Sequence, residues 1–330
     1  MTNLVRVGIA GTGHSVPPRV VTNDDLSKIV DTNDEWITKR TGIKARRFVD
    51  DGTDCSHLCG EAARLAIEAA GLKPEDIDLI IVGSLTQDHL MPTIATLVQT
   101  RLGCTNAGAF DVLSACTGFI TALHTAEAFI ASGRAKNVLA IGGETLSRYL
   151  DMTDRSSCIL FGDGAGAAVV RPLEDCGGQG EILRQTLGAD GEGYEYIHIP
   201  MGGAKTPHNH KDYDASNHFI RVAGREVYRF AVTKMTDVIR EIMEGYDDDQ
   251  IALVVPHQVN MRIIDAARER LGWSMDKFFV NIEKYGNTSA GSVPIAFDEA
   301  VRQGKLKKGD LCILVAFGAG LTWGATLIKW

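Results

Sequence analysis

Asp111 to Phe119 reads D-V-L-S-A-C-T-G-F and sets one cysteine at the join between two apolar segments of different character. Ala107 to Leu113 is small and apolar, as a buried strand is, and Thr117 to Ala131 is an apolar run long enough for about four helical turns. Cys116 is therefore expected at position one of a buried helix. A thiol there faces unpaired N–H groups and the positive end of the helix dipole, which favours thiolate and makes the sulfur a nucleophile at neutral pH. Free cysteine is also among the most buried residue types, so this stretch alone is read first as packing.

Working outward, 330 residues with 45% hydrophobic content and 35 glycines suffice for one large domain or two halves. The net charge of -8 argues against whole-protein attraction to nucleic acid or an anionic membrane. An acidic ligand must then meet a local basic patch. Seven cysteines, at 55, 59, 104, 116, 158, 176 and 312, form an odd count without framework spacing, which predicts reduced thiols and a cytoplasmic setting. Met1 to Ala10 has no long apolar core, and no stretch approaches the roughly 18 apolar residues of a membrane span.

Along the chain, Leu4 to Ala10 reads as a strand that runs into a loop at Gly11-Thr12-Gly13, since Pro17-Pro18 forbid the helix a dinucleotide fingerprint needs. Asp31 to Thr41 is helical, with Trp36 and Arg40 four apart on one face. That pair is read first as surface packing, and second as a platform for a purine with a cation for a phosphate. Asp54 to Gly71 is a helix holding Cys55, His57 and Cys59. Lacking a second ligand pair at metal spacing, it is not expected to bind metal. Asp76 to Val82 is a buried strand, Pro92 is placed in the first turn of a helix over Thr93 to Leu102, and Asn137 to Ile141 is a strand.

The second half repeats the order. Ile251 to Val255 is a buried strand, Asn260 to Leu271 a helix, and Lys277 to Val280 a short strand before the turn Tyr285 to Ser289 and a helix to Arg302. Leu311 to Phe317 is the last central strand. An offset of about half the chain predicts a duplicated α/β unit stacked on itself. Gly286 to Ser289 falls near the repeat partner of Cys116, and the two turns are expected close to one pseudo-twofold axis. Two glycine runs, Phe161 to Ala167 and Phe317 to Gly320, do not open helices. They therefore give no case for nicotinamide or flavin, and are read as letting backbone approach a site closely. Pro256-His257-Gln258-Val259-Asn260 sets a histidine just past the carboxyl end of a strand, and Asn287 sits on the equivalent turn of the next unit. Three polar groups at the same kind of strand exit make a candidate site.

At these residues the chain resembles the beta-ketoacyl-acyl-carrier-protein synthase III family of bacterial fatty acid synthesis. S-A-C-T-G-F, P-H-Q-V-N and G-N-T-S-A carry the likeness, with D-E-W-I-x-x-R-T-G-I near the start and F-G-A-G near the end, in order over nearly the whole chain. The resemblance implies a thiolase-like α/β fold, with duplicated halves at residues 1–172 and 173–330 in a layered αβαβα arrangement. It implies a catalytic triad of Cys116, His257 and Asn287, and backbone oxyanion donors at Cys116 and Ala319. It further implies a coenzyme A site at Trp36, Arg40 and Arg155, and an acyl pocket limited by Leu90 and Met91 reaching across a homodimer. Where some members read F-G-G-G this chain has Ala319, whose side chain narrows the allowed backbone angles.

The implied chemistry is ping-pong, with no resident cofactor, because the coenzyme A thioester is a substrate. Cys116 takes an acyl group from acyl-coenzyme A; malonyl-acyl carrier protein then loses carbon dioxide, and its enolate, held by His257 and Asn287, attacks the acyl-cysteine. A cysteine hydrolase also uses a histidine backed by Asn or Asp, so triad composition leaves condensation and hydrolysis both open. Three functions follow: initiation of fatty acid synthesis from a short acyl-coenzyme A, a same-fold acyltransferase or condensing enzyme of specialised metabolism such as a quinolone or polyketide starter, and a non-catalytic acyl-coenzyme A-binding protein. Arg221, Arg225 and Arg229, spaced four apart, predict a basic stripe with Arg240 near the same face. A solvated face is the first reading of such a stripe, while the resemblance puts carrier-protein docking at Arg229 and Arg262.

Overall fold

The first strand, β1 (Val7–Ser15), carries straight through Gly11-Thr12-Gly13 instead of opening into a loop. These glycines serve the layer above. A Cβ at Gly11 would lie 2.5 Å from the carbonyl oxygen of Ala66 and the amide of Ala70, so helix and strand meet backbone to backbone. The chain is seen in a computed structural model that describes residues 4–330. Met1 to Asn3, on which the reading of Met1 to Ala10 and the start of the first half partly rested, lie outside the described residues.

After β1 come α1 (Asp34–Thr41), α2 (Cys55–Ala69), β2 (Leu79–Gly83), α3 (Ile94–Leu102), β3 (Gly108–Val112), α4 (Gly118–Ala131), β4 (Val138–Thr145) and β5 (Asp163–Pro172). The second series is β6 (Glu181–Ala189), α5 (Gly224–Ile242), β7 (Ile251–Pro256), α6 (Met261–Leu271), α7 (Ser292–Arg302), β8 (Leu311–Gly318) and β9 (Thr322–Lys329). The strands form one sheet of nine in the order β7-β8-β9-β6-β1-β5-β4-β2-β3. A single pairing, Gly8 opposite Glu181, joins its two arms. In the first arm β2 lies parallel to β3 and β4, and β5 and β1 follow antiparallel. In the second, β7 lies parallel to β8, and β9 and β6 follow antiparallel. The arms are two copies of one pattern. β8 is paired on both sides, by β7 and β9, and is buried along its length, and β9 is the further strand that the alternation after Gly320 indicates.

Three apolar cores define five layers. Phe119 and Leu123 of α4 and Val293 and Phe297 of α7 pack between the arms, against Ile81 and Val138 on one side and Leu253 and Leu314 on the other. Helices covered on both sides are apolar nearly all round, which accounts for the long run after Cys116. Ala62 and Val98 of α2 and α3 close the outer face of the first arm, and Met235 and Ile264 of α5 and α6 close that of the second. Gly164 and Gly166 of β5 bring α7 close to the sheet: a Cβ at Gly166 would stand 2.7 Å from Pro294. Those two glycines thus serve helix packing, not a site.

Lys277 to Val280 does not form a strand. Phe278 keeps one parallel bridge to Val254, the position β3 holds beside β2 in the first arm. The side-chain amide of Gln258 takes the backbone groups a neighbouring strand would pair, donating to Phe279 O at 3.1 Å and accepting Asn281 N–H at 3.0 Å. Pro92 stands before the cap of α3, where Thr93 accepts Thr96 N–H.

Candidate active site

Asp111, at the head of the quoted stretch, accepts the N–H groups of Ile94 and Ala95 at 2.8 and 2.9 Å and so ties the start of α3 to the end of β3. The chain then turns sharply. Ala115 sits at φ 48°, and Ala115–Thr117 form a 3-10 turn before α4 begins at Gly118. Cys116 therefore stands ahead of the helix, not at its first position. The same turn recurs in the repeat, where Ser289 sits at φ 48° and Ser289–Gly291 lead into α7. Each left-handed non-glycine residue costs on the order of 1–2 kcal/mol, and such strain gathers where side chains must be aimed.

Burial pushes the Cys116 thiol up to about 11. Ser289 Oγ lies 3.4 Å from it, and the backbone N–H groups of Cys116 and Ala319 both point at it and act in the opposite sense. Burial thus opposes the thiolate that a helix start was expected to favour, and the more tightly held proton has to leave the sulfur during reaction. Ala319 is absent from the residues with positive φ. The left-handed step falls on Gly320, at φ 72°, so the methyl group is accommodated without strain. Gly318 does lie against the site, since a Cβ there would be 2.9 Å from Cys116 N.

His257 follows β7 and is buried, and burial pushes it down to about 3, so the ring is neutral. Its Nδ1 lies 2.5 Å from Ser292 Oγ, and that oxygen already accepts Gln258 N–H at 3.4 Å. Because that oxygen already accepts one N–H, the hydroxyl is assigned as the donor to Nδ1, which puts the ring proton on Nε2, free for a substrate oxygen. Asn287 Oδ1 accepts Ser289 N–H at 2.8 Å, which turns Nδ2 the other way. Cys116, His257 and Asn287 line one cavity of about 50 Å³, walled by Phe161, Phe230, Phe317 and Leu321. A sulfur, two neutral N–H donors and two backbone N–H groups thus meet at one space walled mostly by apolar side chains.

Leu160 lines this cavity and also a larger cleft of about 860 Å³. There Arg40 lies 4.5 Å and Arg155 5.2 Å from the centre of the Trp36 ring. Arg225, Arg229 and Arg262 line the same cleft, and no carboxylate is among its lining residues. A basin with five arginines in a chain of charge -8 is a site for an anion. The sequence treats Trp36, Arg40 and Arg155 apart from Arg229 and Arg262, whereas the fold brings all five together. The predicted stripe is shorter than expected. Arg221 precedes α5 and reaches Ser216 O and Asp151, and Arg240 is held by Asp248.

Leu90 and Met91 are 101% and 84% exposed and do not line the cavity of their own chain. Cys55 and Cys59 face each other at 3.8 Å, while His57 Nδ1 accepts Asp54 N–H. All seven cysteines are free. No helix among the described residues is long and apolar enough to cross a membrane. Sequence reasoning gave no role to Ser289, Ser292 or Glu144. The available signal for Glu144 was a lone carboxylate ending the apolar run of β4.

Residues 110–191 and 243–330 match the family profiles described as 3-Oxoacyl-[acyl-carrier-protein (ACP)] synthase III and its C terminal. The beta-ketoacyl-[acyl-carrier-protein] synthase III of Caldanaerobacter subterraneus subsp. tengcongensis is 50% identical, over 100% of this chain and 99% of that one. The crystal structure of 3-oxoacyl-[acyl-carrier-protein] synthase III from Aquifex aeolicus superposes with a TM-score of 0.90 at 47% identity, covering 98% and 100% of the two chains. The priming beta-ketosynthase of the R1128 polyketide biosynthetic pathway gives 0.91 at 34% identity, covering 100% and 97%.

Proposed function

The chain belongs to the 3-oxoacyl-[acyl-carrier-protein] synthase III family, and on that premise we propose that it condenses a short acyl-coenzyme A with malonyl-acyl carrier protein to initiate fatty acid synthesis. Cys116 attacks the thioester carbonyl, the N–H groups of Cys116 and Ala319 hold the oxyanion, and coenzyme A leaves as its thiolate. Malonyl thioester then loses carbon dioxide. The enolate oxygen is held by His257 Nε2–H and Asn287 Nδ2–H, and its carbon attacks the acyl-cysteine to give the beta-ketoacyl thioester and release the sulfur. The reaction takes no resident cofactor.

The observation that carries this reading is the partner of His257 Nδ1. A hydrolytic base needs a free Nε2 and a carboxylate or amide oxygen on Nδ1–H. A hydroxyl donating to Nδ1 leaves a neutral Nε2–H donor, suited to a developing enolate. Specialised priming is the less favoured use, because the near-full-length relatives at about half identity carry the synthase III name while the polyketide enzyme is 34% identical. Trp36, Arg40 and Arg155 would take the nucleotide of coenzyme A. We assign a homodimer in which the exposed Leu90 and Met91 reach the partner's acyl pocket, and a reducing, cytoplasmic setting consistent with free cysteines.

Incubation with acetyl-, branched-chain and longer acyl-coenzyme A, each with malonyl-acyl carrier protein, should yield beta-ketoacyl-carrier product and carbon dioxide. Intact mass should show an acyl adduct that Cys116→Ala lacks. Release of free fatty acid without carbon–carbon bond formation would reverse the assignment.

A further inference from the structure

A buried carboxylate without a counter-ion stands behind the nucleophile. Glu144, at the end of β4, is 0% exposed. Its Oε2 accepts from Thr86 Oγ1 at 2.7 Å, Ser84 Oγ and Thr86 N at 3.1 Å, and Leu85 N at 3.2 Å. Among the described residues its Oε1 has only Leu85 N and Ser289 Oγ, both at 3.3 Å. No lysine, arginine or histidine among the described residues bonds it. The titratable groups that face it are Cys116, Cys59 of α2, with Cys55 beyond, and Tyr149. A structural role alone would be filled by glutamine without burying a charge.

Ser289 bridges Glu144 and Cys116, and its one hydroxyl proton serves one neighbour at a time. With Glu144 ionised, the hydroxyl donates to Oε1 and its oxygen accepts the Cys116 S–H. With Glu144 protonated, the carboxyl donates to Ser289 and the hydroxyl donates to a thiolate. These are the two ends of one proton transfer. The positive φ of Ser289 aims the hydroxyl between its neighbours.

We propose that Ser289 and Glu144 form a proton relay that takes the proton of the Cys116 thiol as the sulfur attacks an electrophile. The thiol proton passes to Ser289 Oγ, the hydroxyl proton passes to Glu144 Oε1, and the sulfur electron pair forms the new S–C bond. When the beta-ketoacyl product leaves, the sulfur regains a proton along the same path. The relay rests on the condensing-enzyme reading for its biological electrophile, but its chemistry belongs to the thiol itself. Burial supports it from both ends, holding the thiol near 11 and Glu144 up at about 7, so that the carboxylate is the nearest base in the pH range of use.

Alkylation of Cys116 by iodoacetamide, followed by intact mass from pH 5 to 10, tests this without any thioester. Cys116→Ala identifies the adduct. In the parent, the rate should rise through one ionisation near neutrality and level off. In Glu144→Gln and in Ser289→Ala it should fall on the order of 10²-fold at pH 7 and keep rising to pH 10, as an unassisted thiol does. Alanine at 289 is compatible with the turn, since Ala115 holds the same φ in the repeat. If Glu144→Gln does not fold, Ser289→Ala decides alone. Parent-like profiles in the folded variants would overturn the relay, and so would a drop of equal size at every pH, which marks a structural role. If alkylation behaves as expected and no acyl-coenzyme A labels the parent chain, the relay stands and the condensing reading falls.

Discussion

The hydroxyl of Ser292 lies 2.5 Å from Nδ1 of His257 and gives the histidine its direction. Ser292 opens α7, the helix packed between the two arms, so the ring's tautomer is set by the central layer of the fold. Ser292→Ala should therefore slow decarboxylation of malonyl-acyl carrier protein by about two- to tenfold, the worth of one neutral hydrogen bond. Acylation of Cys116 should be unchanged. His257→Ala should cut the same step by on the order of 10²-fold or more, as loss of an oxyanion donor does. Burst acylation and carbon dioxide release, measured separately, decide it; equal loss in both half-reactions would show that Ser292 acts on the whole site.

Much of this was legible in the chain. The duplication shows as apolar strands and helices recurring at half the chain length, and Cys116, His257 and Asn287 stand at strand exits that the fold brings into one cavity. What escaped is set by contacts between distant segments. Gly11 and Gly13 read as a loop because the glycines answer to Ala66 and its neighbours on α2, more than fifty residues away. Lys277 to Val280 has strand composition but loses its ladder to the Gln258 side chain. Helix position is written in the sequence, whereas the desolvation that pushes the thiol up is not. Glu144 and Ser289 are 145 residues apart, and no local pattern links them.

Two buried groups give stability opposite pH dependences. Burial raises Glu144 from an ordinary 4.5 to about 7, so the folded state holds its proton more tightly, and the stabilisation present below pH 4.5 is lost as pH rises through 7. Burial lowers His257 from 6.5 to about 3, so its contribution is present above pH 6.5 and is lost as pH falls. Glu144→Gln removes only the first. Its Tm relative to the parent should climb from pH 5 to pH 8 in thermal melts, and a constant difference would mean that Glu144 does not titrate with folding.

Trp36 has the Arg40 and Arg155 guanidinium groups 4.5 and 5.2 Å from its ring centre, which sets cations for phosphates beside an aromatic platform for a flat ring. Trp36→Ala should raise KM for acyl-coenzyme A by roughly 5- to 150-fold, from stacking worth about 1–3 kcal/mol, with little change in kcat. KM for malonyl-acyl carrier protein should hold, since the carrier brings no adenine. A matching rise for both substrates would place the ring on the common pantetheine path.

Arg229 and Arg262 stand on α5 and α6 and line the cleft that also contains Trp36, so they are placed to meet an anion that enters it. No salt bridge within the described residues engages either one, unlike Arg155 and Arg240, which are held by Asp31 and Asp248. Free cations on an otherwise acidic chain are available to an acidic carrier protein, whose approach they would steer. Arg229→Glu and Arg262→Glu should each raise KM for malonyl-acyl carrier protein, with the effect shrinking as ionic strength rises from 0.01 M, where the screening length is about 30 Å, to 1 M, where it is about 3 Å. Because both residues share the cleft with Arg40 and Arg155, a smaller rise for acyl-coenzyme A is expected from its phosphates. Steady-state kinetics with each substrate across a salt series separate the cases. A larger effect on acyl-coenzyme A than on the carrier would assign both arginines to the nucleotide, and none on either would return them to the solvated surface.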